Sequence, residues 1–283
     1  MGSRAAEKRL RMAAMRRPAR PRPAVGLIKT ETRWSDICLP RKAVGRCYNA
    51  SVIASKADSS MLELGVKFLI SYFIGSLMGS IIVGRLRGGV DIRTMGSGNA
   101  GGTNALRTQG MLFALGVVII DIGKGFVGAA IVPGLEIPFV PADPDVSRTW
   151  LTLACATAAV FGHVWPIYHR FKGGKGAATY VGTLAAINAS LIIPLLIVWV
   201  VVLLISGYVG LATMAAAVAL PVWIGFTMLP AADALLMYAA MIGLFIVFWH
   251  RSNIQRMRAG TEHRNHGLMI LGRRKQAGKD EQS

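Results

Sequence analysis

Cysteine, acid and charge of any kind are scarce in this sequence, and each shortage excludes something. Three cysteines occur in 283 residues. Cys38 and Cys47 stand in a basic N-terminal stretch and Cys155 in an apolar run. None has metal-ligand spacing, so an inert buried thiol at Cys155 is expected rather than a disulfide, and no metal site is expected. Charged residues make up 16% of the chain, against about 25% in soluble domains, while 53% are hydrophobic, which excludes an ordinary soluble fold. The apolar runs are continuous and lack period-two alternation, which excludes a membrane β-barrel.

What charge there is lies unevenly. Residues 1–60 hold 14 of the 32 Lys/Arg and 4 of the 14 Asp/Glu, a net +10. "RRPARPRPAVG" within this head is rich in Arg and Pro and reads as a disordered basic extension. No recognisable nucleic-acid module accompanies it, so a nucleic-acid partner is not expected. No apolar run of about 7–15 residues precedes Met61, which argues against a targeting peptide. A +10 segment before an outward-starting span also opposes the positive-inside rule. Translation is therefore expected to begin at Met61, with residues 1–60 as upstream sequence. The alternative is a genuine disordered extension bound to anionic lipid or a partner.

A membrane span needs roughly 20 mostly apolar residues to cross about 30 Å of hydrocarbon. Candidates are 64–84, 111–132, 150–168, 177–206, 208–228 and 233–250. Basic loops follow the first, third and last of these, whereas loop 133–149 carries Glu136, Asp143 and Asp145 against Arg148. The positive-inside rule places the basic loops in the cytoplasm and the acidic loop outside. Loops 170–175 and 251–275 then share a side only if an even number of crossings separates them. The stretch 177–206 is therefore expected to split, near "INAS" and Pro194, into 177–188 and 190–206. The expected fold is an all-α integral membrane protein of seven transmembrane helices, one pair short or partly re-entrant. The domain spans 61–264, and 265–283 form a basic polar tail.

Three loops hold nearly all the unusual residues. The first, 90–110, contains Gly96, Ser97, Gly98, Asn99, Gly101, Gly102, Thr103, Asn104 and Arg107. Such a loop can turn backbone N–H groups, neutral donors and a guanidinium fork toward an anion. "GSGNAG", with Asp121 downstream, mimics a dinucleotide fingerprint. It lacks the βαβ context, since Asp121 sits in a run of span length, and no cofactor is expected. In the second loop Lys172 and Lys175 flank Gly173 and Gly174, and Gly176 opens the next apolar run. A helix beginning there would aim its positive end at the same place. Three glycines in four residues exceed what a merely basic interfacial loop needs, so anion binding is favoured. In the third, His250 and Asn253 share a helix face with Arg256 or Met257, although an interfacial amphipathic helix explains the arginines equally well. Within the second span Asp121 and Lys124 form an i, i+3 pair, expected to support the site rather than to react.

"GSL" at 75–77, "VDIRTMGSGNAGGTNALR", "DIGKG", "GHVWPIYHRFKGGKGAAT" and "HRSNIQRMRAGTE" resemble, in order and spacing, the bacterial acyl-phosphate:glycerol-3-phosphate acyltransferases of the PlsY type, over about 61–264. The resemblance implies a seven-helix inner-membrane enzyme with its site on the cytoplasmic face. It implies transfer of a fatty acyl group from acyl phosphate, not acyl-CoA, to the 1-hydroxyl of glycerol 3-phosphate, giving lysophosphatidic acid. Acyl phosphate, glycerol 3-phosphate and membrane lipid are then the partners. Ser97, Arg107, Lys175, His250 and Asn253 would be catalytic. Gly98, Asn99, Thr103, Asn104, Lys172, Gly173, Gly174 and Gly176 would bind phosphate. Asp121, Lys124 and Glu262 would support the site. Whether His250 or a substrate phosphate takes the hydroxyl proton stays open. Met78 stands where the family has Pro, Gly102 departs from "GATN", and Gly207 and Gly210 replace an Arg and a Ser. Any hydroxyl contact at 210 is lost, and Thr213 is the candidate replacement.

Two other classes compete. An acyltransferase of the His-x-x-x-x-Asp class is excluded, because none of His163, His169, His250, His263 and His266 has Asp five residues on. A transporter or channel for an anionic phosphate-containing solute would also use broken helices and glycine loops. Against it, the polar residues gather at one face rather than the midplane, and no internal repeat is visible.

Overall fold

The computed structural model describes residues 50–269, with side chains from Leu62 onward. The proposed start at Met61, the head 1–49 and the tail beyond 269 lie outside the described residues or at their edge. The chain divides after Ile53, and the unit from Ala54 onward holds every candidate span.

Ten α-helices and no extended strand occur among the described residues. They are α1 Ala50–Gly75, α2 Gly79–Leu86, α3 Gly102–Gln109, α4 Met111–Ala130, α5 Arg148–Val164, α6 Ala177–Asn188, α7 Ile192–Ser206, α8 Val209–Thr227, α9 Asp233–Trp249 and α10 Arg251–Arg258. Four stretches are long and apolar enough to cross a membrane, or six if each of two bent pairs counts as one span. Their outer faces are apolar: Leu112, Leu244 and Phe226 are 74%, 70% and 88% exposed, which suits lipid and not water.

The sequence pattern suggested a continuous first span, but α1 and α2 meet at a 42° bend around Ser76–Met78. A break inside hydrocarbon frees backbone groups that water cannot reach. The Asp121–Lys124 pair of α4 supplies the missing partners: Lys124 Nζ donates to Leu77 O at 2.7 Å, and Gly79 N donates to Asp121 Oδ1 at 3.3 Å. The pair itself is made at 2.9 Å. These two residues thus close the backbone of a neighbouring helix as well as each other's charge.

Helix α4 is the hub, packed against α2, α3, α5 and α6. Its crossing with α6 is close because each helix presents a glycine to the other's backbone. A Cβ at Gly125 would overlap Thr179 O, and one at Gly182 would overlap Ile122 O. Tyr180 and Leu184 of α6, Leu220 of α8 and Tyr238 and Ile242 of α9 fill the main core.

The expected break in 177–206 is present. After α6 a single 3₁₀ turn, Ala189–Leu191, is capped by Asn188, whose Oδ1 accepts from Ser190 N at 3.1 Å. A straight helix of 30 residues would run about 45 Å. Yet Ala177 and Ala178, at its start, and Val209 and Gly210, just past its end, line one cavity. The start of the stretch and the residues just past its end therefore lie close together. At the bundle end that carries residues 133–148, Glu63 holds Lys67 at 2.8 Å and Arg148 at 2.7 Å.

Candidate active site

Loop 91–101 and α3 form the first wall. Asp91 caps a 3₁₀ turn by accepting from Arg93 N, and Arg93 pairs with it at 2.7 Å. The Arg93 guanidinium beside it holds the Asp91 carboxyl below its usual value. Arg93 Nη1 also donates to Lys172 O at 3.3 Å, tying this loop to the lysine–glycine loop. Asn104 organises the turn. Its Oδ1 accepts from Ser97 N at 2.9 Å, and its Nδ2 donates to Ile92 O and Met95 O at 2.8 and 3.0 Å. Asn104, to which the resemblance gives a phosphate role, lines the cavity while its amide bonds the loop. Ser97, Asn99, Thr103 and Arg107 face the cavity from this wall.

The second wall is the start of α6. Gly176 adopts φ +85° at its N-cap, a conformation that suits glycine, and lines the cavity beside Lys175. Lys175 Nζ donates to Asn253 Oδ1 across the space. Burial first, then the nearby Arg256 and Arg107, push the Lys175 ammonium down to about 8. Arg107 is likewise held below its ordinary value by burial and by Arg256, with Glu262 acting in the opposite sense.

The third wall is the end of α9 and α10. The two helices are bent by 49° at His250. His250 Nδ1 lies 2.7 Å from Ile246 O. A carbonyl oxygen only accepts, so Nδ1 carries the proton, and in the neutral ring Nε2 holds the lone pair. Asn253 Nδ2 donates to Glu262 Oε1 at 2.8 Å, and Arg256 Nε to Glu262 Oε2 at 2.6 Å. Glu262 thus holds Asn253 and Arg256 at once. Of the two candidates for the helix stripe, Arg256 lines the cavity and Met257 does not.

The structure brings Ser97, Asn99, Thr103, Arg107, Lys175, Gly176, His250 and Asn253 together around the inner cavity. Gly98, Lys172, Gly173 and Gly174 instead line an adjoining outer hollow with Arg251, and the two spaces share Ser97, Asn99, Lys175 and Arg256. Asp121 and His163 form part of the inner cavity's lining. Gly210 leaves room for Asn253, whose side chain a Cβ there would meet at 2.9 Å. Thr213 does line the cavity, its hydroxyl donating to Val209 O at 2.9 Å and accepting from Trp199 Nε1 at 3.2 Å.

Sequence reasoning missed His163 and gave Arg256 only an interfacial role. A lone histidine in an apolar run carries no local signal. Arg256 was visible only as one of two choices on a stripe. The sequence also gave no view of an apolar groove between α4, α6, α7 and α8, lined by Ile122, Val181, Leu195 and Trp199. It joins the polar cavity through Val118, Ala177, Ala178 and Thr213, which line both.

The family described as "Glycerol-3-phosphate acyltransferase" matches residues 66–260. A glycerol-3-phosphate acyltransferase of Salinibacter ruber (strain DSM 13855 / M31) is 41% identical over 214 residues, covering 71% of this chain and 92% of the relative. One of Chlorobaculum tepidum is 36% identical over 225 residues, covering 72% and 97%. Among solved structures, the crystal structure of PlsY (YgiH), an integral membrane glycerol 3-phosphate acyltransferase in its glycerol 3-phosphate form, superposes with a TM-score of 0.62 at 33% identity, covering 71% of this chain and 94% of that one. Matched through the loops that form the cavity and along nearly the full length of its relatives, this chain belongs to the glycerol-3-phosphate acyltransferase family.

Proposed function

We propose that this protein transfers a fatty acyl group from acyl phosphate to the 1-hydroxyl of glycerol 3-phosphate, giving lysophosphatidic acid. The single observation that carries the reading is the join between a cationic cavity and an apolar groove. One substrate has a phosphate and an alkyl chain on either side of the reacting carbonyl, and the other has a phosphate alone. The shared residues Val118, Ala177, Ala178 and Thr213 mark where such a carbonyl would sit.

The hydroxyl oxygen attacks the carbonyl carbon, the bond from that carbon to the phosphate oxygen breaks, and inorganic phosphate leaves. The hydroxyl proton passes to His250 Nε2 or to a phosphate oxygen. An acyl phosphate is already activated, so the protein's part is to hold two anions together and to stabilise charge as it develops. Lys175, Arg107 and Arg256 would bind phosphate, with Lys172 at the outer hollow. Ser97 and Asn253 would orient the substrates, and Asp121, Lys124 and Glu262 would hold the frame.

Seven crossings, with the catalytic loops and C-terminus in the cytoplasm of a bacterial cell and the acidic loop outside, suit this chemistry. Two features support that count: the closeness of the start of 177–206 to the residues just past its end, and the basic loops around the cavity. The domain limits 61–264 accord with the same reading. Purified protein given acyl phosphate and labelled glycerol 3-phosphate should form labelled lysophosphatidic acid, and acyl-CoA should not replace the donor. No labelled product from acyl phosphate would reject the function. Single cysteines at 98, 174 and 260 should be shielded from an impermeant thiol reagent in intact cells while one at 142 is labelled. Labelling at 260 but not at 174 would reject the seven-span count.

A further inference from the structure

The lysine–glycine loop closes over the end of α5, and His163 is the residue on which it closes. Gly174 N donates to His163 O at 3.2 Å. A Cβ built on Gly174 would meet its three nearest atoms all on one imidazole: Cε1 of His163 at 2.9 Å, Cδ2 at 3.2 Å, and Nε2 closer still. A Cβ on Gly173 would meet the His163 carbonyl and Pro166 Cδ. On its other edge the ring faces α4, with Nδ1 3.4 Å from Asp121 Oδ1. The His163 side chain is 3% exposed. Asp121 is itself fixed by Lys124 at 2.9 Å and by Gly79 N at 3.3 Å.

We infer that His163 is a positioning residue: its imidazole is the spacer that sets the height of the lysine–glycine loop, and Gly174 is glycine because that ring occupies the place of a Cβ. The common expectation for a glycine here is that it lets backbone approach a phosphate. The geometry gives it a different partner, a protein ring. Lys175 comes directly after Gly174 and reaches Asn253 across the cavity. Any lift of the loop therefore moves an ammonium that must meet the substrate, and a misplacement near 1 Å can cost about 10²-fold in rate or binding.

The inference rests on the acyltransferase reading, and the test separates the two. Kinetics of the full chain in micelles are compared for wild type, Gly174→Ala, His163→Ala and the double variant. Gly174→Ala should raise the KM for glycerol 3-phosphate about tenfold, with kcat within about threefold, because a methyl is forced into filled space. In the His163→Ala background the same substitution should cost less than about twofold more, a coupling that independent sites do not show. A penalty of full size in that background overturns the inference and returns Gly174 to direct ligand contact. Should Gly174→Ala fail to accumulate, recovery of the folded protein in the double variant supports the inference, and no recovery overturns it. Wild-type protein that makes no lysophosphatidic acid defeats the function instead, and the coupling is then read from thermal midpoints of the same four proteins.

Discussion

At the bundle end that carries residues 133–148, one buried carboxylate, Glu63, collects two cations and a backbone N–H. Glu63 takes Lys67, both terminal nitrogens of Arg148 and the backbone N–H of Asp143. Lys67 and Arg148 then reach onward to Pro133 O and Asp143 O. At the opposite end the carboxylates are taken up in the same way, Asp121 by Lys124 and Glu262 by Arg256 and Asn253. There, however, Lys175 and Arg107 remain beside the cavity with no carboxylate of their own within bonding distance among these pairs. The first arrangement is closed, and removing a member costs the fold. The second keeps positive charge in a partly dry space, which raises the energy of the empty site and strengthens its pull on an anion. On the proposed function, similar residue types serve stability at one end and ligand capture at the other, and the difference lies in whether the last partner is protein.

That contrast can be broken in four ways. The largest effect is expected from Lys175→Ala, which should lower kcat/KM about 10³-fold, the upper range for loss of one charge-stabilising donor, while the thermal midpoint in micelles stays near wild type. A large fall in midpoint would make Lys175 a structural residue. Glu63→Gln should do the reverse. Losing the anion of a buried cluster costs about 3 kcal/mol, read as a lower midpoint and poor accumulation, with the KM of the surviving protein unchanged. An altered KM at normal stability would show that the two ends are coupled.

The third effect depends on pH. Lys175 titrates at about 8 in the empty site, so its ammonium is present below that pH and lost as pH rises through it. Binding of glycerol 3-phosphate should weaken by up to about tenfold per pH unit above 8, and weaken again below about 6 as the phosphate gains a proton. In Lys175→Arg the alkaline limb should vanish whatever the value of kcat, and a limb that persists assigns it to another group. The smallest effect belongs to Gly210→Ser. Its Cβ would press on Asn253 at 2.9 Å, and a fall of about threefold in kcat/KM is expected from such crowding. A rise would mean that the hydroxyl contributes more than the displacement of Asn253 removes.

Much of the site was legible in the sequence because polar residues stand out against lipid-length apolar runs. Ser97, Arg107, Lys175, His250 and Asn253 stood out that way, Glu262 entered only with the family resemblance, and all six line one cavity. What stayed hidden depends on partners distant in the chain. The bend at Ser76–Met78 is tolerated because Asp121 and Lys124 complete its backbone, a condition that no window around residue 77 contains. His163 looked like an isolated residue because Asp121 and Gly174 give it its place. Gly173 and Gly174 were read for what a ligand could approach, whereas Gly174 lies against the His163 ring and Gly173 against the His163 carbonyl and Pro166. The apolar groove was illegible for a simpler reason: Leu195 and Trp199 look the same in sequence whether they line a groove or face lipid.

The brevity of α6 has a consequence for the surrounding bilayer. Twelve residues rise about 18 Å, well short of a hydrocarbon layer of about 30 Å. Its last residue, Asn188, and Ser190 of the turn after it bond through their side chains at 2.7 Å and so carry part of their polarity internally. On the seven-crossing reading proposed above, lipid would have to come to the protein for the remainder: the membrane beside α6 would thin, or water would reach inward to the turn. Mismatch of this kind costs fractions of a kcal/mol per Å, so thicker membranes oppose this shape and thinner ones relax it. On that reading bilayer thickness, and with it the chain length of the lipids already made, would bear mechanically on the helix whose first residues line the cavity.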